Sequence, residues 1–100
     1  MCDDAPVIIV SGSLYVDEAD RDAYVQSCRE VILAARATDG CLDFHLSADP
    51  IEPDRINVFE HWASAESVEA FRGSGPTAEQ AVAIRSATVM QHEIAASTAL

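Results

Sequence analysis

Residues 6 to 16, PVIIVSGSLYV, are β-branched and aromatic enough for a buried strand, and Gly12 within them marks either a bulge or a close approach by another group. The period then changes. In VDEADRDAYVQSCREVILAARATDG, residues 16 to 40, Tyr24, Cys28, Val31 and Ala35 recur at helical spacing with Val25 and Ile32 beside them. That pattern predicts one amphipathic helix of about five turns. Asp17 and Asp20 resemble a capping pair at its start, the acids of the first turn suit the helix dipole, and Gly40 supplies a stop. CLDFHLSA, residues 41 to 48, alternates Leu42, Phe44 and Leu46 against Cys41, Asp43 and His45, so a strand with one face in the core is expected. DPIEPDR reads as a turn and INVFEHWA as the returning strand of a hairpin. Ser64 can cap a helix through AESVEAFR with Val68 and Phe71 inward; GSGP interrupts, and TAEQAVAIRSA makes a second helical piece. TVMQHEIA is the last strand and ASTAL a frayed tail.

The element order is β-α-β-β-α-β, which predicts an α+β, ferredoxin-like fold, an antiparallel sheet with helices on one face. The helix-free face would carry Val89, Phe59, His45 and His61, too mixed for comfortable exposure. A second copy of the sheet is therefore expected to cover it in a symmetric homodimer. A chain of 100 residues, 49% hydrophobic, fits a single domain over residues 1–100, with 1–5 and 96–100 as flexible termini.

Charge and composition narrow the function. The chain has 17 acids, six arginines, no lysine and a formal charge of −11. It would repel a nucleic-acid backbone, and without lysine it excludes Schiff-base chemistry and a lysine-anchored pyridoxal cofactor. No G-x-G-x-x-G or P-loop pattern supports a nucleotide. Cys2, Cys28 and Cys41 are odd in number and lack C-x-x-C spacing, so free thiols are expected, Cys28 as a small core residue. No apolar run approaches the roughly 20 residues of a membrane span. MCDDAPVIIV has acids where a signal peptide would need bases, and a cytoplasmic location is expected.

Candidate chemistry concentrates in RINVFEHWAS, residues 55 to 64. Strand alternation sends Ile56, Val58, Glu60 and Trp62 to one face, and Asn57, Phe59 and His61 to the other. Glu60 beneath the helices is either a general base or a structural carboxylate paired with Arg72 or Arg85. Trp62 is core packing, an orienting N–H for a substrate oxygen, or both. His45 and His61 are expected as interface histidines rather than metal ligands, since no paired ligand spacing supports a metal. His92 shares a face with Met90 and Ile94 and could approach a pocket or the core. Tyr15 and Tyr24 are further pocket candidates; the Tyr24 hydroxyl needs a partner, of which a ligand is one.

The run GCLDFHLSADPIEPDRINVFEHWASAESVEAF resembles the antibiotic biosynthesis monooxygenase family: Gly40, Cys41, Leu42 and Phe44, a turn, then Phe59, Glu60 and Trp62 leading into a helix. The resemblance implies a dimeric α/β-barrel of ferredoxin-like subunits and an oxygenation that needs no flavin or metal. A phenolic, quinol or polyketide-type aromatic would lose a proton and its anion would reduce oxygen directly. Such a pocket needs an apolar cleft, a proton acceptor and donors for the oxyanion. Glu60 is the expected base, Trp62 and Asn57 the orienting donors, and Tyr24, Phe71 and His92 the lining. Many members carry a histidine in the helix after the tryptophan, as haem ligand or acid-base group; Phe71 stands there instead. Ser11 stands where haem-degrading relatives place an amide, so haem is not expected. The same framework also serves haem-degrading enzymes and proteins of no established activity, and the alternative is a non-catalytic, dimeric small-ligand-binding module.

Overall fold

The computed structural model describes residues 6–72 and 83–100. Four strands, β1 (Val7–Tyr15), β2 (Cys41–Ala48), β3 (Arg55–Trp62) and β4 (Ser86–Ile94), form an open antiparallel sheet in the order β2-β3-β1-β4. This is the ferredoxin-like α+β arrangement. The central pair keeps a regular register, Ile8 opposite Trp62, Val10 opposite Glu60 and Leu14 opposite Ile56. All six of these side chains are buried. The period-2 pattern of β1 and β3 thus puts one face of each strand under the helices, where full burial of each large apolar side chain contributes about 1.5–3 kcal/mol.

The first helical segment departs from one continuous helix. A 3₁₀ turn at Glu18–Asp20 leads into α1 (Arg21–Ser27), and α2 (Arg29–Arg36) follows after an irregular Cys28. The Ser27 hydroxyl donates to the Tyr24 carbonyl at 2.6 Å, while the Cys28 N–H is shared between the Tyr24 and Val25 carbonyls at 3.1 Å each. A serine that competes for a carbonyl of its own turn perturbs a helix at this point. The expected Asp17–Asp20 cap is not formed by a side chain; Asp17 instead lies 3.5 Å from Arg85. The buried stripe nonetheless holds, with Tyr24, Cys28 and Ala35 all in the core.

Helix α3 (Ala65–Arg72) begins as its sequence predicts: Ser64 Oγ accepts from the Ser67 N–H at 3.2 Å, Val68 is buried and Phe71 packs against the core. Gly40 ends the α2 segment at φ 88°, and a Cβ there would strike the Ser67 side chain. Gly12 has φ 154°, and a Cβ there would strike the Thr88 carbonyl, so the close approach is that of the β4 backbone.

Two expected faces change. In β2 the register slips between Cys41 and Asp43, a bulge that turns Leu42 outward to 57% exposure and packs Cys41 against the core. In β4, Val89 pairs with Gly12 and so lies on the helix side, not the helix-free face. Ser86 and Ala87 belong to β4 rather than to a helix; the rest of the expected second helical piece up to residue 82 lies outside the described residues.

Candidate functional site

Two residues apart on one strand, Glu60 and Trp62 must share a face, and that face is the helix side. The Trp62 Nε1–H donates to Glu60 Oε1 at 3.0 Å, and Arg72 Nη2, from the last turn of α3, approaches the same oxygen at 3.4 Å. Among the described residues Glu60 is the one buried charged side chain, 8% exposed. A carboxylate removed from water needs compensation of this kind, here a guanidinium and an indole donor. Arg72 stays about half exposed and so bridges the buried acid to solvent. Among the described residues no side chain or backbone group bonds to Oε2.

Three aromatic rings close one side of this acid. Trp62 has no exposed surface; its ring centroid lies 6.4 Å from Phe44 and 5.4 Å from Phe71, and Phe44 and Phe71 are 5.5 Å apart. Edge-on and tilted contacts of this kind favour ring pairs beyond their buried area. Ile8, Val10, Ala35 and Val68 fill the remaining space. Two expectations about Trp62 therefore separate: it is core packing, and its N–H is spent on Glu60 rather than left for a substrate oxygen. Of the two possible partners for Glu60, Arg72 is the one it has.

The other predicted site residues are not brought to this cluster, Phe71 excepted. Asn57 lies on the opposite sheet face, where its Nδ2 donates to Asp49 Oδ1 at 2.8 Å and its Oδ1 accepts from Arg55 Nε at 2.7 Å. It cannot orient a substrate held at Glu60. His92 pairs with Ile9 and faces the same helix-free side, exposed; strand alternation in β4 puts it across the sheet from Glu60, and it does not belong to that cluster. Tyr24 belongs to a second core cluster with Leu14, Val16, Cys28 and Ile56. Its hydroxyl finds its partner in the Cys28 thiol, and burial together with that thiol pushes its pKa up to about 12. Burial likewise pushes the Cys28 thiol up. Tyr15 turns to the helix-free side, and its hydroxyl donates to the Glu52 carboxylate at 3.1 Å and 3.2 Å.

These last contacts belong to a polar network at the β2–β3 turn that the linear pattern does not reveal. Asp49 Oδ2 accepts the N–H groups of Ile51 and Glu52 at 3.0 Å and 2.9 Å, Arg55 donates to Glu52, and Arg21 reaches the carbonyls of Asp49 and Glu52 at 3.1 Å and 2.8 Å. The donors converging on Asp49, first the Glu52 N–H and then Asn57, hold its carboxyl down to about 2. The only hint in the sequence is an aspartate two and three residues before the amides it caps, an Asx turn.

Among the described residues no helix is long and apolar enough to cross a membrane. A family model described as antibiotic biosynthesis monooxygenase matches residues 7–83. Solved structures agree in fold. A proposed antibiotic biosynthesis monooxygenase from Deinococcus radiodurans superposes with TM-score 0.80 at 18% identity, covering 93% of this chain and 97% of that one. Another, from Nitrosomonas europaea, gives TM-score 0.77 at 12% identity over 99% of this chain and 100% of its own. A Bacteroides thetaiotaomicron protein of unknown function, described as a possible oxidoreductase, gives TM-score 0.75 at 17% identity, covering 89% of this chain and 98% of that one. No curated protein matches the chain.

Proposed function

This chain belongs to the antibiotic biosynthesis monooxygenase family, and starting there we propose that it is a cofactor-independent monooxygenase acting on a phenolic, quinol or polyketide-type aromatic. The observation that carries the reading is Glu60, a buried carboxylate with one oxygen held by Trp62 and Arg72 in an otherwise apolar layer. Phe44, Trp62 and Phe71 close one side of it. On the β4 side Val89 and Gln91 share its face, opposite Gly12 and Val10, and both are exposed. The substrate would approach Glu60 from there, its ring over Val89 and Gln91 of β4.

In this reading Glu60 takes the proton of an acidic O–H or benzylic C–H. The anion gives an electron to oxygen, and recombination forms a carbon-bound peroxide, to which Glu60 returns the proton to give the hydroperoxide. Glu60 then takes the remaining C–H proton as the O–O bond breaks and passes it to the departing hydroxide, so that CH2 and O2 become C=O and H2O. The substrate supplies every electron. Arg72 balances the carboxylate charge, and the fixed indole keeps that carboxylate in one orientation, so little reorganisation accompanies transfer.

The test is oxygen consumption by metal-free protein over a panel of quinols and anthrones. Glu60→Gln should lower the rate by about 10²–10⁴, the usual range for a general base; unchanged turnover would remove Glu60 from the chemistry. A second reading rests on the same contacts. With Oε1 already satisfied, the cluster is also self-sufficient as a structural lock, and the domain would then bind an aromatic ligand without turning it over. Thermal stabilisation by a panel member with no oxygen consumption would decide for binding.

We further propose a homodimer through the helix-free face, where Ile9 and Phe59 are only partly covered and Met90 is 60% exposed. Sedimentation equilibrium of the wild type against Phe59→Glu tests it: a dimer that persists unchanged in the variant places the interface elsewhere.

A further inference from the structure

Positive charge is scarce in this chain, with six arginines against 17 acids. Three are spent on carboxylates: Arg55 on Glu52 and Asp49, Arg72 on Glu60, and Arg85 on Asp17. Arg21 is taken up by two main-chain carbonyls. The remaining two, Arg29 and Arg36, have no carboxylate partner among the described residues. They stand seven positions apart on α2, hence on one side of it. Between them and β2 runs a cleft of about 300 Å³, with Ile32, Leu33, Leu46 and His45 in its walls. Leu33 is 53% exposed there. Arg36 is fixed at the strand by its Nε, which donates to the Phe44 carbonyl at 2.9 Å.

We propose that this cleft binds a small organic anion with an apolar body, an aryl carboxylate. Its body would lie on Ile32, Leu33 and Leu46, and its carboxylate between Arg29 and Arg36. The charge argument is local: a chain of net −11 repels anions overall, so two guanidinium groups without acid partners beside exposed apolar surface mark the place where that sign reverses. The volume sits at the lower end of small-molecule sites. An extended peptide fits less well. Adding a strand would need the free edge of β2, and at its middle the Phe44 N–H is already bonded to Asp43 Oδ1 at 2.8 Å and the Phe44 carbonyl to Arg36. The site lies on the outer flank of β2 and is independent of the Glu60 chemistry.

The experiment is a two-dimensional ¹H–¹⁵N NMR titration of the full chain with 1-naphthoate, with uncharged 1-naphthalenemethanol and with acetate. Saturable shifts are expected for Arg29, Ile32, Leu33 and Leu46 with naphthoate, weaker at high salt, and little response to the other two compounds. Arg29→Gln, which breaks no contact in the structure, should weaken naphthoate by about tenfold. Arg36→Gln should do the same, and its Phe44 and Asp43 resonances report whether the strand edge survives. The proposal is overturned by non-saturable shifts, by shifts centred on Trp62 instead, by equal affinity for the uncharged alcohol, or by an Arg29→Gln protein that binds naphthoate as the wild type does.

Discussion

Two clusters in this chain pair carboxylates with guanidinium groups, and they differ in how much water they keep. At the β2–β3 turn, Arg55 lies 3.1 Å from Glu52 and 3.7 Å from Asp49, with the Arg55 and Glu52 side chains 35% and 45% exposed. At the other end of β3, Arg72 lies 3.4 Å from a Glu60 side chain only 10% exposed. The first cluster is local in sequence and is assembled by an Asx turn. The second joins a strand to the helix that follows and borrows an indole N–H from the core. In the first, water reaches Arg55 and Glu52 and can replace a partner either of them loses, although Asp49 between them is only 15% exposed; in the second, water is largely excluded from the acid and a lost partner leaves it uncompensated. The same pair of groups is therefore surface decoration in one place and a candidate reaction centre in the other.

The largest expected effect falls on the residue that ties the buried cluster to the core. Trp62→Ala should cost about 3–5 kcal/mol in urea denaturation, through the cavity and the lost donor together; a loss no larger than that of a surface change would mean that the buried cluster is not anchored in the core. Arg72→Ala should cost about 1–2 kcal/mol, discounted because the guanidinium is half exposed. Most of that cost should vanish when Arg72→Ala is made in a Glu60→Gln background, and a double-mutant cycle without coupling would break the contrast. At the turn, Arg55→Gln should change stability by less than about 1 kcal/mol, as exposed ion pairs do.

A pH dependence confined to the turn completes the comparison. The Asp49 carboxyl falls from an ordinary 3.8 to about 2 on folding. A carboxyl with a lowered folded value adds stability above the unfolded value and loses it as pH falls through the folded one, so this contribution is complete above pH 3.8 and fades towards pH 2. Carboxyl NMR of Asp49 with the Asn57 side-chain amide as reporter would follow it. An Asp49 that titrates at 3.8 would show that the turn network does not hold in solution.

Much of the fold was legible because burial imposes a period. Ile8, Val10 and Leu14 in β1, and Ile56, Glu60 and Trp62 in β3, alternate because only one face meets the helices. Leu42 was misread because a bulge breaks alternation without leaving a mark in composition; only the pairing of Cys41 with Trp62 and Asp43 with His61 exposes it. β4 was harder still. Its side chains from Ser86 to Glu93 are exposed on both faces, so no hydrophobic contrast records which way Val89 and His92 point, and that depends on register with Gly12 and Ile9. At the site, the pairing of Glu60 with Trp62 follows from strand geometry and Arg72 was one of two named partners. Asn57 on the far face was also readable from the same alternation. The network that consumes it was not, since its members are ordinary turn residues until the chain folds back.

The central claim is that Glu60 takes a proton from the substrate, and anaerobic stopped-flow absorbance isolates that step from oxygen chemistry. An anthrone or quinol mixed with metal-free protein in the absence of oxygen should show the absorbance of its bound anion, and Glu60→Gln should bind the substrate without forming it. Anion formation at the wild-type rate in Glu60→Gln, or none in the wild type despite binding, would contradict the account.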